Sequence, residues 1–422
     1  MKTLVGALAL LLPWPAAAAR TGPVCNFDTL APWFSRLDGM SRIKWPARPA
    51  HIIQIGDSHT AGDVLTAGWR KLLQAPWPKV LLQPWEGVGS RGMLPPGRPY
   101  DGYFAKGVTV TMSDGWQVAA SFGKGSAAPR PPLGLSNYSL TSTRADASMA
   151  LTVARGMEFN RFVLCGLAGP GAGSVVARFR DAHSEWEETF DFARETAAPL
   201  CQENSSGNDP ADHLMSKVEI RAQGAPVTLT SWGIFSLGGV ALSNLGVVGS
   251  QLRHFARTDD AVLAEELRVH QPDLIVLAFG TNEGFAPSID TVAYEETLRT
   301  QIARLQGLAP DAAILLLGPP DALSRREELR GGAGNCPKLP GVAPLFAPPG
   351  LAQVRAVQRK VAGDLNLAWW DWQARMGGPC SAQRWVGQGL MRGDYVHFRS
   401  EGGLTVARLL QDDLDQAARE AR

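Results

Sequence analysis

Four short, widely separated stretches carry residue types that together suit acyl chemistry. Gly56-Asp57-Ser58-His59, inside HIIQIGDSHTAGD, closes an apolar run with a polar triplet. NLGVVGSQL holds Gly246 and Gly249, FGTNEGF holds Gly280-Thr281-Asn282-Glu283, and GDYVHF holds Asp394 and His397. A neutral serine hydroxyl attacks an ester only when a base sits within hydrogen-bond reach. Imidazole is largely neutral near pH 7 and accepts a proton there, which selects His397 as the base for Ser58. Asp394, three residues before it, suits the other ring nitrogen: it steers the ring and its tautomer without taking the proton. The plainer reading of Ser58 is a hydrogen-bonded turn, since Asp and Ser are favoured in turns for their own backbone bonding.

Such a set works only where the chain brings it together. His51 to Ile55 reads as a short buried strand ended by Gly56, and Gly62-Asp63 as the cap of a helix from Val64 to Leu73. The polar triplet then lies at the carboxyl end of a strand, where open α/β sheets place their ligands. From about Thr258 onward, helical and strand patterns alternate. TDDAVLAEELRVH, YEETLRTQIARLQGL and LAQVRAVQRKVAGDL run at helical period, PDLIVLAFG, AAILLLGPP and LAWWDW read as strands, and a last helix starts near Glu401. That alternation, with near-continuous apolar strands, implies a parallel sheet covered on both faces. Between Pro96 and Ser236 the texture changes to short β-type runs such as GVTVTMSDG, RFVLCGLAG, SVVARFRDA and KVEIRAQG, broken by Gly, Pro, Asp and Ser. Many short strands at regular spacing suggest a β-sandwich or jelly roll. The expected fold is α/β, interrupted by an all-β insert in which CQENSSGNDPAD (Cys201 to Asp212) reads as a mobile loop.

The four blocks, in this order, resemble those of the SGNH/GDSL hydrolase superfamily: the Ser, the Gly, the Asn and the closing Asp-x-x-His. GDSHTAGD, NLGVVGSQL, GTNEGF and DYVHF, with a β-rich insert between the first two, are further similar to bacterial peptidoglycan O-acetylesterases, in which a module resembling a carbohydrate-binding domain interrupts the hydrolase. The resemblance covers most of the mature chain. It implies a flavodoxin-like hydrolase domain in two parts, 20–95 and 237–422, around a carbohydrate-binding-module-like β-sandwich at 96–236. It also implies a catalytic set of Ser58, Asp394 and His397, with an oxyanion hole from the backbone N–H groups of Ser58 and Gly249 and the side-chain amide of Asn282. Losing one such donor costs roughly 3 kcal/mol of barrier. The implied substrate is an O-acetylated cell-envelope glycan, namely the C6 O-acetyl of N-acetylmuramic acid in peptidoglycan, cleaved through an acetyl-Ser58 intermediate. The order Ser, Asp, His also occurs in α/β-hydrolases, but no Gly-x-Ser-x-Gly elbow surrounds Ser58. Glu283 departs from the pattern, standing where the wider superfamily has Asp, and is given no catalytic step.

Each feature has a purely structural alternative. Asn282 suits a cap for its loop, and Gly249 suits a turn that needs close backbone approach. Asp57 is read as bonding the backbone of the serine's turn, and His59 as serving that turn or lining the cleft. His51, His183, His213, His254 and His270 lack a motif and read as surface or packing residues. Thirteen tryptophans are compatible with sugar stacking, yet most tryptophan is core, so Trp116 and Trp186 are candidates only.

Composition narrows the rest. Residues 1–19 have a basic Lys2, an apolar stretch and a tail of small residues; they read as a secretory signal cut after Ala19, too short to be a stable membrane span, which points to the periplasm or the exterior. Cys25 follows Pro23-Val24 and not a small residue, which argues against a lipid anchor. A net charge of +1 without basic runs argues against nucleic acid as a partner. Five cysteines are too few to staple a chain of 422 residues. Segment membership favours Cys165 with Cys201 and Cys336 with Cys380, although connectivity does not follow from sequence. Their spacing suits no zinc site, and neither metal nor cofactor is called for. Two rival functions stay open. An O-acetyltransferase would use the same acyl-serine, differing in whether the pocket excludes water, and the absence of a membrane-embedded acyl-donor domain from this chain favours hydrolysis. A non-catalytic carbohydrate-binding envelope protein would not need Ser58, Asn282, Asp394 and His397 intact.

Overall fold

The computed structural model describes residues 23–42, 48–75, 90–98, 100, 102–204, 214–236, 238–286, 288–326 and 336–421. The leader-like residues 1–19, His213 and most of the presumptive loop after Glu203 lie outside these.

A six-stranded sheet forms the centre. Its order is Val24–Cys25, Ala368–Trp370, Ala313–Leu317, Leu274–Ala278, Ala50–Gly56, Val240–Gly246. All pairings are parallel except at the Val24–Cys25 edge. Counting the parallel strands in chain order, the arrangement is 2-1-3-4-5, the flavodoxin-like doubly wound order. Because side chains alternate along a strand, each strand feeds two cores. Ile52, Leu274, Val276, Leu315 and Leu317 face one side, packed with Trp69 and Leu73 of helix Leu65–Gln74 and with Leu410 and Leu414 of helix Ser400–Glu420. Ile53, Ile55, Ile275, Leu277 and Leu316 face the other, against helices Asp260–His270, Thr291–Leu308 and Pro349–Asp364. The strands and helices read from the sequence after Thr258 all form. The edge strand Val24–Cys25 and the helix Ala31–Arg42 carry no clear sequence pattern and were not expected.

The stretch between Ala50–Gly56 and Val240–Gly246 builds two antiparallel sheets, one of five strands and one of six. Phe162, Leu164, Leu229 and Trp232 of one share a core with Leu151, Val175, Phe179 and Ile220 of the other. Trp116 and Trp186 pack half-buried against that core. A disulfide joins Cys165 to Cys201, directly opposite on neighbouring strands, and a second joins Cys336 to Cys380; Cys25 is free and buried. The Cys201 end of the expected loop is therefore strand, Ala198–Glu203.

Two buried acids fasten these sheets to the α/β part. Glu266, on helix Asp260–His270, accepts hydrogen bonds from Thr230 Oγ1 and Ser231 Oγ at 2.7 Å each and from the Leu135 N–H at 2.7 Å. Burial pushes its carboxyl pKa up, against those three donors. Asp63 was expected to cap the following helix and does not: the cap position is Val64, without a side-chain bond. Asp63 has a φ of 49° and is fully buried. Its carboxylate is instead taken by Arg70 at 3.2 Å, Arg91 at 3.1 Å, Thr66 Oγ1 at 2.6 Å and the Lys106 N–H at 2.7 Å. Two buried guanidinium groups outcompete a helix terminus for one carboxylate, since an unpaired buried charge costs more than a lost cap.

Asp63→Asn keeps a residue that tolerates the left-handed conformation but removes the counter-charge of Arg70 and Arg91. The expected outcome is a loss of about 3 kcal/mol or more in chemical denaturation; an unchanged midpoint would contradict the charge assignment.

Candidate active site

The order of the parallel strands reverses beside Ala50–Gly56, and open sheets leave a crevice at the carboxyl end of the strands there. Four loops converge on it. After Ala50–Gly56 the chain turns at Asp57, whose Oδ1 accepts from the His59 N–H at 2.9 Å and so starts the short helix Ser58–Ala61. Asp57 thus serves the turn, as read from the sequence. Gly246 closes the neighbouring strand where a Cβ would stand 2.2 Å from the backbone nitrogen of Ala61, so only glycine permits this approach to the serine's helix. Gly249 follows in the next turn with φ +78°, and a Cβ there would meet Phe122 at 2.9 Å. After Leu274–Ala278 comes Gly280 and then Asn282 in the short helix Thr281–Gly284.

The last loop, between helix Ser381–Gly387 and helix Ser400–Glu420, brings Asp394 and His397. Asp394 Oδ1 accepts from the N–H groups of Val396 at 2.9 Å and His397 at 3.0 Å, building the turn that sets the Asp-x-x-His spacing. Its other oxygen, Oδ2, lies 2.9 Å from His397 Nδ1. A carboxylate only accepts, so Nδ1 carries the hydrogen and Nε2 presents a lone pair. His397 Nε2 is 3.0 Å from Ser58 Oγ, within the reach required of a general base. Partial burial pushes the Asp394 carboxyl up, but the His397 ring and the two backbone donors outweigh this and hold it well below the usual carboxylate range. The side chains of His397 and Asp394 remain 36% and 44% exposed, and Ser58 beside them is half-buried.

The loops that follow the second and third parallel strands are tied to each other. Asn282 Nδ2 donates to the Ser250 carbonyl at 2.9 Å, Gln251 Nε2 to the Asn282 carbonyl at 3.1 Å, and the Leu252 N–H to Glu283 Oε1 at 2.8 Å. One hydrogen of the Asn282 amide is thereby used, leaving the second for an acceptor in the crevice. Burial and the charges of Arg257 and Arg253 lower the pKa of His254 to about 4. Kept neutral, its Nδ1 accepts from the Gln251 N–H at 2.9 Å, while its ring stacks on Phe122 at 4.4 Å.

All five residues singled out in the sequence sit on these converging loops, and Ser58, His397 and Asp394 are joined by direct hydrogen bonds. The remaining histidines divide. His51, His254 and His270 are buried and His183 is exposed. His59 is buried beside His397, a placement with no signal in the sequence except adjacency to Ser58. Residues 100 and 102–106 were also missed: Tyr100 and Tyr103 donate to the carbonyls of Gly246 and Asn244 at 2.9 and 3.0 Å, and the Phe104 N–H donates to the Ala61 carbonyl at 2.9 Å.

A serine, a histidine and an acid thus meet at the switch point of a doubly wound sheet, an arrangement suited to acyl chemistry at the serine. Residues 228–403 match the family described as GDSL-like Lipase/Acylhydrolase, and the chain accordingly carries the domain of an ester-hydrolysing enzyme. The matched range leaves out Ser58, which only the fold returns to it. A solved peptidoglycan O-acetylesterase aligns with 94% of this chain and 100% of its own, at 24% identity and a TM-score of 0.73, which establishes a shared fold. The salicylyl-acyltransferase SsfX3 (15% identity, 77% of this chain, 96% of its own) and a family two carbohydrate esterase from Cellvibrio japonicus (14%, 74%, 98%) align with TM-scores of only 0.33 and 0.28, too low to bear on fold or function. No curated protein matches the chain.

Burial raises the pKa of Glu283 to about 7 from the ordinary 4.5, with the Leu252 N–H opposing and Asp57 adding to the rise. Between those values the native state holds more protons than the unfolded chain, so stability falls as pH rises through that window. Glu283→Gln keeps an acceptor for Leu252, and its expected effect is to flatten this decline in denaturation midpoints measured across the window. An undiminished decline would show that another group is responsible.

Proposed function

We propose that this protein is a serine O-acetylesterase of the cell envelope that removes acetyl groups from a glycan, namely the C6 O-acetyl of N-acetylmuramic acid in peptidoglycan. The observation that carries the reading is the hydrogen-bonded line Ser58 Oγ, His397 Nε2, His397 Nδ1, Asp394 Oδ2, at 3.0 and 2.9 Å. Ser58 Oγ attacks the acetyl carbonyl carbon while His397 Nε2 takes its proton. The oxyanion is met by the N–H groups of Ser58 and Gly249 and the free hydrogen of the Asn282 amide. As the tetrahedral carbon collapses, His397 returns the proton to the departing sugar oxygen, leaving acetyl-Ser58. Water, deprotonated by the same nitrogen, then releases acetate. Asp394 holds the ring and balances the imidazolium without exchanging a proton.

The glycan part of the reading draws on the end-to-end likeness to a peptidoglycan O-acetylesterase and on the partly exposed side chains of His397 and Asp394 beside the half-buried Ser58, which an acyl group on a bulky polymer reaches without threading into a cavity. On this reading residues 1–19 export the chain, 96–236 form a carbohydrate-binding-module-like β-sandwich insert, and the two halves of the hydrolase are 20–95 and 237–422. No helix among the described residues is long and apolar enough to cross a membrane.

Ser58→Ala is expected to abolish acetate release from O-acetylated peptidoglycan; retained release would sink the assignment. Asn282→Ala is expected to lower kcat by about 10²–10³, with the folded state checked by circular dichroism. Acetylated xylan serves as the comparison substrate: faster release from xylan than from peptidoglycan would overturn the choice of polymer and leave the esterase reading intact.

A further inference from the structure

His59 is only 4% exposed, yet each of its ring nitrogens faces an oxygen that cannot donate. Nδ1 lies 3.2 Å from the carboxylate oxygen Oδ1 of Asp57, and Nε2 lies 3.0 Å from the carbonyl oxygen of Val396. A neutral imidazole has one N–H and would leave one of these contacts as two lone pairs facing each other in a buried place. The other polar neighbour, Thr281 Oγ1, is 3.5 Å from Nδ1, too long to change that count. The ring is walled by Trp372 and Phe398, with centroids at 5.5 and 5.8 Å, and lies against the ring of His397 at 5.5 Å and 27°. The charged or titratable groups around it are Asp57 on its own turn, His397 and Asp394 on the closing loop, and Glu283, which acts on Asp57 from the Thr281–Gly284 helix.

We propose that His59 is a positioning residue held as imidazolium: one N–H cancels the charge of Asp57, and the other ties the serine's helix to the carbonyl of Val396, the residue before His397. Ser58 and His397 are thereby fixed to each other through their immediate neighbours, independently of the bond they share. The electrostatics agree: burial pushes the pKa of His59 down, but the charge and hydrogen bond of Asp57 and the Val396 carbonyl outweigh it, and the net direction is up.

The protonation state is testable without substrate. In wild-type protein labelled with ¹⁵N-histidine, both ring nitrogens of His59 are expected to show one-bond N–H couplings at about pH 8, where a free imidazole has lost its charge. The signal is assigned by its absence from His59→Gln. A single protonated nitrogen would overturn the proposal, and this arm needs no variant to be active. The kinetic arm rests on His397 acting as the base and uses an acetyl ester with a chromogenic leaving group. His59→Gln keeps one donor and His59→Leu keeps none. Expected losses in kcat/KM are about tenfold and about a hundredfold, and in both variants the acid limb of the profile moves to higher pH by about half a unit, because the cationic ring 5.5 Å from that of His397 is lost and Asp57 is left unbalanced. An unmoved acid limb in both, with the NMR signature of a neutral ring, would refute the proposal. Activity surviving in Ser58→Ala would instead refute the esterase reading and leave the NMR result standing.

Discussion

The hydrogen bond between Ser58 and His397 joins residues 339 positions apart, and much of the architecture is spent on keeping their loops within a single bond length. The serine sits at the end of a strand buried on both faces, and the histidine sits just before the last helix. These two places are brought together because the helix after Ser58 and the helix after His397 lie side by side on one face of the sheet. Trp69 and Leu73 of the first pack into the same core as Leu410 and Leu414 of the second, and Trp69 Nε1 donates to Gln411 Oε1 at 2.8 Å. Non-directional burial brings the helices into contact, and a directional bond at a buried indole fixes their register.

On the proposed reading, the loops that hold Gly249 and Asn282 answer a different need. Donors aimed at a developing oxyanion are effective only when they do not have to reorganise during the reaction. Three cross-loop hydrogen bonds, from Asn282 to Ser250, from Gln251 to Asn282 and from Leu252 to Glu283, give the two loops one shape. Glu283 is therefore a strut, and its side chain reaches across the gap to the N–H of Leu252. The burial this demands leaves its second carboxylate oxygen without a partner.

The two antiparallel sheets are anchored by polar groups as well as by apolar contacts such as Val163, Cys165 and Phe235 against Ala241. Glu266 receives Thr230 and Ser231 from strand Thr228–Phe235 and the Leu135 N–H from the loop before strand Tyr138–Ser142, and Asp63 gathers Arg70, Arg91 and the Lys106 N–H around one carboxylate. A buried polar network is a poor source of net stability but tolerates few alternative geometries. Its Asp63 part follows directly on the helix of Ser58, so the Lys106 N–H bond to Asp63 and the Phe104 N–H bond to Ala61 tie the segment leading into the sheets to that helix.

The residues of the site and the local elements that carry them were legible in the sequence. Glycine and polar clusters at the ends of apolar runs mark strand ends, and period and capping mark the helices after Thr258, because these signals are local and each is set by a few neighbouring residues. The pairing of Cys165 with Cys201 could be guessed from segment membership, but their directly opposed register could not. What only the tertiary structure decided are matters of which distant groups meet: the 2-1-3-4-5 strand order, the edge strand Val24–Cys25, and the fates of Asp63 and His59. Asp63 has the composition of a cap and His59 that of a turn residue. Each was claimed by partners far along the chain, Arg91 for one and the Val396 carbonyl for the other. Sequence patterns encode burial and backbone preference, whereas the assignment of a buried charge depends on every group that packing brings within a few ångströms of it.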